Sequence, residues 1–420
     1  MSNADHLYYD LDICTTVPSD QALRNYPQSQ RLNFTEVRSS PIILNPSDYY
    51  LSIVRFQLDT ANSLPAFIPQ IILDQSSAGP DFPNLTTYSI TMAVAGAPNF
   101  YIKQRVVYQP QYTPQYPTNS GIPQAPTTSP ITLEQATSNY YWVSDFKNFI
   151  VMINEALLSV WTQLIATSPY ALPADAVLAN APFLVWNTET QLCELYAPRI
   201  SFQMSDDIAV DGAPIHLYFN TSLFTLFSSF QANFLGSLID TTDPNEDETN
   251  YRIRIYPDNN KNIIAPAGPL GFEFPPYNPA TTLGIKMTQS FQTGATLCPI
   301  SQIVFNTSLI PCATTLIGIP RITNGFGGLG SQQQTQNDNF ANQITDLVVG
   351  LNNGYEYLPQ ILYEPTAQYR YIDLQSNSPL YGVQITVGWK DIYGITHDFT
   401  LSDNQGTSLK ILFAKKETAV

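Results

Sequence analysis

Charge is scarce in this chain. Only 12% of its 420 residues are Asp, Glu, Lys or Arg, about half the usual share. Basic side chains are the scarcer kind, 18 against 34 acidic ones, for a formal net charge of −16. A chain of that sign repels nucleic-acid phosphate and anionic lipid, so neither nucleic-acid binding nor adsorption to a membrane surface is expected. Cysteine is also rare: Cys14, Cys193, Cys298 and Cys312 lie far apart and form no CxxC. Reduced, mostly buried thiols fit that spacing better than a metal site, although Cys298 and Cys312 could meet across a hairpin. No run approaches the ~18 apolar residues of a membrane span. The opening Met1-Ser-Asn-Ala-Asp-His6 lacks the apolar stretch of a signal peptide. The sequons at Asn33, Asn84, Asn220 and Asn306 then read as accidents of composition.

Catalytic signatures are missing too. His6, His216 and His397 have no ligand or base partner at short spacing, and His397-Asp398 reads as a surface pair. Gly325-Phe-Gly-Gly-Leu-Gly330 fits G-x-G-x-x-G in letters only, because it follows no strand–turn–helix context and runs into a glutamine-rich stretch. The carboxylates of Asp240, Asp243, Glu246, Asp247 and Glu248 lack the spacing of a calcium loop and read as a solvated acidic turn. No catalytic residue, cofactor or metal is therefore expected.

Aromatic and apolar residues are plentiful. Hydrophobic residues reach 44%, with 25 Tyr, 22 Phe and 33 Pro. Aromatics favour strands and interfaces, and frequent proline breaks helices and shapes turns. The clearest strand is Val383-Gln-Ile385-Thr-Val387-Gly-Trp389, apolar at every second position. Its in-facing set, Val383, Ile385, Val387 and Trp389, is the candidate core. Ile395 to Leu401 reads as its partner strand, and Ser408 to Phe413 as the last ordered segment. Tyr50 to Leu58, Phe67 to Leu73 and Tyr251 to Tyr256 read as further strands. Thr87 to Val94 with Phe100 to Tyr108 reads as one hairpin, and Phe183 to Trp186 with Leu192 to Tyr196 as another. Ile215 to Phe230 stays ambiguous between strand and helix. One strong helix is expected: Phe146, Phe149, Ile150, Ile153, Leu157, Val160, Trp161 and Leu164 share a face, with Ser144 or Asp145 as its cap.

These elements suggest a mostly β protein, an antiparallel jelly-roll sandwich with an α+β insertion that holds the long amphipathic helix. Residues 31–109 and 281–420 would form the jelly roll, 110–130 a Pro/Gln/Tyr-rich linker and 131–280 the insertion. The echo of Phe67-Ile-Pro-Gln-Ile71 in Tyr357-Leu-Pro-Gln-Ile361 fits one domain interrupted by an insertion better than a tandem duplication. Residues 1–30 read as an N-terminal arm. Within it Tyr8, Tyr9, Leu11 and Ile13 are candidates for docking on a neighbouring subunit as an added strand, with a disordered end as the alternative.

Several segments resemble the minor capsid (penton) proteins of virophages and polinton-like viruses. They are Tyr369-Arg-Tyr-Ile-Asp-Leu374, the strand ending in Trp389-Lys-Asp391 with Gly394 in the following turn, and Leu409-Lys-Ile-Leu-Phe413. The stretch from Leu32 to Phe56, the segment Phe67-Ile-Pro-Gln-Ile71 and, more weakly, Ile303 to Pro311 resemble the same proteins. The matches bracket the chain and leave roughly 110–280 uncovered. The resemblance implies a non-enzymatic virion protein, assembled in the host cytoplasm or nucleus. It would be a subunit of the pentameric vertex capsomer of an icosahedral double-stranded DNA virus. Its implied partners are further copies of itself, as a homopentamer, and the major capsid protein. Alternatives are a double jelly-roll major capsid protein, a β-rich receptor- or carbohydrate-binding protein, and a hydrolase on a β scaffold.

Overall fold

The computed structural model describes residues 5–14, 30–60, 64–72, 84–94, 100–110, 139–143, 145–173, 176, 181–199, 201–202, 214–234, 250–255, 284–317, 321–322, 332–333, 339–348, 360–364, 370–391, 396–401 and 405–417. The described chain divides into two compact units. The first draws on residues 1–65 and 299–420, the second on 66–111 and 124–298.

The first unit contains eight principal strands: β1 (His6–Cys14), β2 (Asn33–Val37), β3 (Tyr49–Asp59), β4 (Ile300–Asn306), β5 (Gln343–Val348), β6 (Gln360–Tyr363), β7 (Gly382–Asp391) and β8 (Gly406–Lys415). One sheet has the order β1-β8-β3-β6, the other β2-β7-β4-β5, and every ladder is antiparallel. Successive strands mostly alternate between the sheets, as in a jelly roll. The sheets meet through apolar faces: the rings of Phe56 (β3) and Phe305 (β4) lie 4.8 Å apart.

Register explains why that core is continuous. Tyr9 and Leu11 sit opposite Ile411 and Leu409. The same β8 residues sit opposite Ile53 and Phe56, and Phe413 sits opposite Leu51. The ladder shifts between Lys410 and Ile411, so that Val54 is skipped. Such a bulge keeps the apolar set of β3 on one face despite an odd residue. Val54 instead packs with Leu412 and Ala414 in a separate cluster covered by Tyr371. On β7 the expected set Val383, Ile385, Val387 and Trp389 is buried, at 0–3% exposure. Each such side chain contributes about 1.5–3 kcal/mol through burial. Gly388 permits close strand approach there: an added Cβ would sit 2.8 Å from the carbonyl oxygen of His397.

The second unit contains the expected helix, α1 (Phe146–Thr167). Asp145 caps it by accepting from Lys147 N at 2.9 Å. By length and composition α1 could cross a bilayer, but twelve of its 22 residues are buried inside the unit. Asn154 locks it there, donating to the Leu184 carbonyl at 2.9 Å and accepting from Leu184 N at 2.7 Å. The two expected hairpins form, Leu85–Val94 with Tyr101–Val107 and Phe183–Asn187 with Leu192–Pro198. The ambiguous segment is both structures in turn, a strand at Ile215–Asn220 and a helix at Thr221–Leu226. Asn220 makes the switch, accepting from Leu223 N at the helix start and from Ser89 N on the neighbouring strand, both at 3.1 Å.

Sheet pairing draws the division between units elsewhere than expected. Leu85–Val94 pairs with Ile215–Asn220, and Gly284–Thr288 pairs with Leu192–Pro198. Those ladders take residues 66–109 and 284–298 out of the sandwich and into the unit that holds α1. In sequence that whole unit falls between β3 and β4. Phe67 to Leu73 forms no strand within its described part, only isolated bridges from Phe67 to Val143 and Ile71 to Thr86. The linker at 111–130 lies outside the described residues.

Candidate assembly surfaces

The sandwich has two flanks. At the first, β1 ends one sheet and β2 lies above it on the other. Alternation shapes β1: Tyr9 and Leu11 are buried, while Tyr8, Asp10 and Asp12 are exposed. Its nine residues pair throughout with β8 of the same chain. Within one chain Tyr8, Tyr9, Leu11 and Ile13 are therefore ordered on their own sandwich and not as a free end. They are an edge strand of their own sheet, because the Leu7/Tyr9/Leu11/Ile13 stripe continues the apolar face of β8.

A polar cluster ties this flank together. Tyr9 donates its hydroxyl proton to Glu36 Oε2, and Arg38 Nε donates to Glu36 Oε1 at 3.1 Å. The Arg38 guanidinium lies 5.4 Å from the Tyr9 ring centre, within cation–π range. Burial, reinforced by the Glu36 carboxylate, pushes the Tyr9 phenol up to about 12. The bonds from Tyr9 and Arg38 hold the Glu36 carboxyl below its usual range. Asp10 faces Lys410 at 3.3 Å and Arg55 at 3.5 Å. A cavity of about 650 Å³ opens beside the cluster, lined by Tyr8, Arg38, Leu44 and Lys415 among others.

At the second flank β6 ends the first sheet and β5 ends the second. Tyr363 stacks on Phe56 with centroids 5.1 Å apart, and Gln360 donates to Asp59 Oδ1 at 3.1 Å. Arg370 donates to the carbonyl and the carboxylate of Asp346, both at 2.8 Å. Leu362 and Val348 are left exposed, at 58% and 61%.

The histidines assemble no catalytic set among the described residues. His397 is buried, not half of a surface pair: its Nε2 lies 3.0 Å from Asp391 Oδ2, and its ring stacks on Trp389 at 4.2 Å. Asp398, the expected partner, instead meets Arg31 at 2.8 Å on the surface. The Asp391–His397 bond ties the end of β7 to the 396–398 strand that pairs with it, and the indole covers the ring face. His216 Nε2 lies 2.6 Å from Arg252 and Nδ1 3.3 Å from the Tyr218 hydroxyl. Among the described residues no three His, Cys, Asp or Glu converge to hold a metal. The 240–248 carboxylates and the 325–330 glycines lie outside those residues. None of the four cysteines is in a disulfide, and Cys193, Cys298 and Cys312 are buried. Burial pushes the Cys193 and Cys312 thiols up, which makes them poor nucleophiles.

In the second unit a cavity of about 580 Å³ lies beside α1 and the 183–198 hairpin. Burial works against charge on its Glu194. Bonds from Lys286 at 2.7 Å, Tyr196 at 2.8 Å and Asn187 at 3.3 Å outweigh that and hold the carboxyl low. A carboxylate so fully occupied is structural. Trp186 is no open platform either, being 8% exposed and 5.1 Å from the Phe146 ring.

Residues 7–415 match the family described as Sputnik minor capsid protein V18/19. The chain belongs to that family. Within it, this minor capsid protein is 32% identical over 183 residues to the uncharacterized protein V18 of Sputnik virophage, covering 43% of this chain and 90% of the relative. Its fold matches a chain in the cryo-EM structure of the Sputnik virophage with a TM-score of 0.72, 26% identity and full coverage of both chains. It matches the mavirus penton protein with a TM-score of 0.55 and 15% identity over 97% and 98% of the two chains. The protein is thus a structural component of a viral capsid, built on the expected jelly roll. Composition had pointed to assembly. Glu36 and Arg38 went unnoticed as a pair with Tyr9, although the period-two stripe in residues 7–13 was the signal that would have placed β1 in the sheet.

Proposed function

We propose that this minor capsid protein is a penton subunit. Five copies form the capsomer at the vertices of an icosahedral shell around double-stranded DNA, seated against the major capsid protein. The role is assembly, not catalysis. The observation that supports it best is the eight-stranded sandwich formed among the described residues of a chain that matches a minor capsid family over residues 7–415. A double jelly-roll major capsid protein would repeat the sandwich. The second unit instead orders its largest described sheet as 232–234, 250–253, 215–220, 85–94 and 101–107 and sets α1 against strands. The test is a particle reconstruction in which this chain is located. Density for five copies around each vertex is the expected result. Density in the capsomers of the shell faces, away from the vertices, would assign the chain to the major capsid lattice.

A further inference from the structure

The assembly role leaves the second unit's cavity of about 580 Å³ without a task. It lies between the N-terminal part of α1 and the turn of the 183–198 hairpin, and its volume falls within the range of small-molecule sites, about 300–1,000 Å³. Its buried part is fixed in advance. Asn154 is held by the backbone of Leu184. Asn187 accepts from Glu189 N at 3.0 Å and Thr190 N at 3.2 Å, which sets the hairpin turn, and its amide donates to Glu194 at 3.3 Å. The rim is different. Lys147, Thr188 and Glu189 are exposed and Asn148 is half-buried. Their side chains line the cavity and make no hydrogen bond or ion pair among the described residues. Ile150, Val151 and Val185 supply an apolar patch of the wall.

We propose that this cavity binds a neutral carbohydrate. A hydroxyl group both donates and accepts, and the rim offers partners of both kinds. Glu189 accepts, Lys147 donates, and Asn148 and Thr188 do either. The C–H face of a sugar ring suits the aliphatic wall. Charge argues against a sialylated, phosphorylated or sulfated ligand. Asp145 and Glu189 outnumber Lys147 at the rim, and Asp145 already occupies the N-terminus of α1. A metal ion is no better fit, since no three His, Cys, Asp or Glu converge among the described residues. With the buried part already locked, binding has only the few rim side chains to order, which keeps its entropic cost small. The site lies within one chain and goes beyond the assembly role, so it does not depend on how many copies associate.

The test screens the full-length protein on an array of immobilised oligosaccharides. Neutral ones ending in glucose, galactose, mannose or N-acetylglucosamine stand beside sialylated and sulfated ones. Retention on a neutral class is the expected result. Titration calorimetry with that sugar in solution then compares the wild type with Glu189→Gln and Asn148→Ala. Each substitution should weaken binding about tenfold, the loss of one good hydrogen bond. Leu309→Ser, at an exposed position of the first unit, should leave it unchanged. Thermal melting checks that each variant folds as the wild type does. Failure of every neutral sugar to bind, binding confined to sialylated or sulfated sugars, or unchanged affinity in either rim variant would overturn the assignment.

Discussion

Strands β7 and β1 belong to the same sandwich yet are held in opposite ways. β7 is paired on both sides, by β4 on one and by β2 and the 396–398 strand on the other. Eight of its ten residues are buried. Among the described residues β1 is paired only with β8, and two of its nine residues are buried. A central strand is defined by side-chain packing that tolerates little change. An edge strand is defined by one ladder and a few polar ties, which leaves its other side for a partner. The centre fixes the fold, and the edges are where one copy can meet another.

The comparison breaks most visibly at Trp389. Trp389→Ala should destabilise the fold by about 3–5 kcal/mol, as large-to-small core changes do, read as a lowered denaturation midpoint with unchanged slope. A loss under about 1 kcal/mol, the range of surface sites, would show that the indole is not core. Gly388→Ala should cost less, about 1–3 kcal/mol. Its Cβ would be driven to 2.8 Å from the His397 carbonyl oxygen, and the strands must part. A neutral result in the same denaturation assay would mean that β7 and its neighbour give way freely.

At the edge the effects shrink. Tyr9→Phe removes one hydrogen bond to Glu36 and should cost about 0.5–1.5 kcal/mol. Faster amide exchange should be confined to β1 and β8, and exchange that quickens equally in β7 would contradict the local role. The same tie gives β1 a pH window. The Tyr9 phenol is raised in the fold, so its contribution is complete below its ordinary value of 10.0 and is lost as pH rises towards about 12. The Glu36 carboxyl is lowered in the fold, so its contribution is complete above its ordinary 4.5 and is lost as pH falls below it. Protection of β1 amides, corrected for intrinsic exchange, should therefore be greatest between those limits. In Tyr9→Phe the alkaline loss should vanish.

What was legible in the sequence follows the same divide. The β7 core could be read from Val383, Ile385, Val387 and Trp389, because period-two alternation is local. The α1 stripe could be read for the same reason. The unit boundary could not, since Leu85–Val94 is placed by Ile215–Asn220, more than a hundred residues later, and strand period carries no address for its partner. His397 looked like a surface group because Asp398 is its neighbour in sequence, whereas the bond to Asp391 forms only once the chain turns back. The β1 flank was misplaced for a third reason. Its stripe is short and sits in an acidic, aromatic terminus, and the C-terminal strand that accepts it lies at the other end of the chain.

If five copies assemble as proposed, apolar and backbone contacts must hold them against their own net charge of −16. Native mass and sedimentation of the purified protein across a salt series, from about 0.05 to 0.5 M, test that most directly. Added salt screens repulsion over roughly 4–14 Å in that range. The predicted result is a pentamer that persists or strengthens as salt rises. A steep loss of the oligomer between low and high salt would show that ion pairs between copies dominate, and would contradict this account of how the subunits are held.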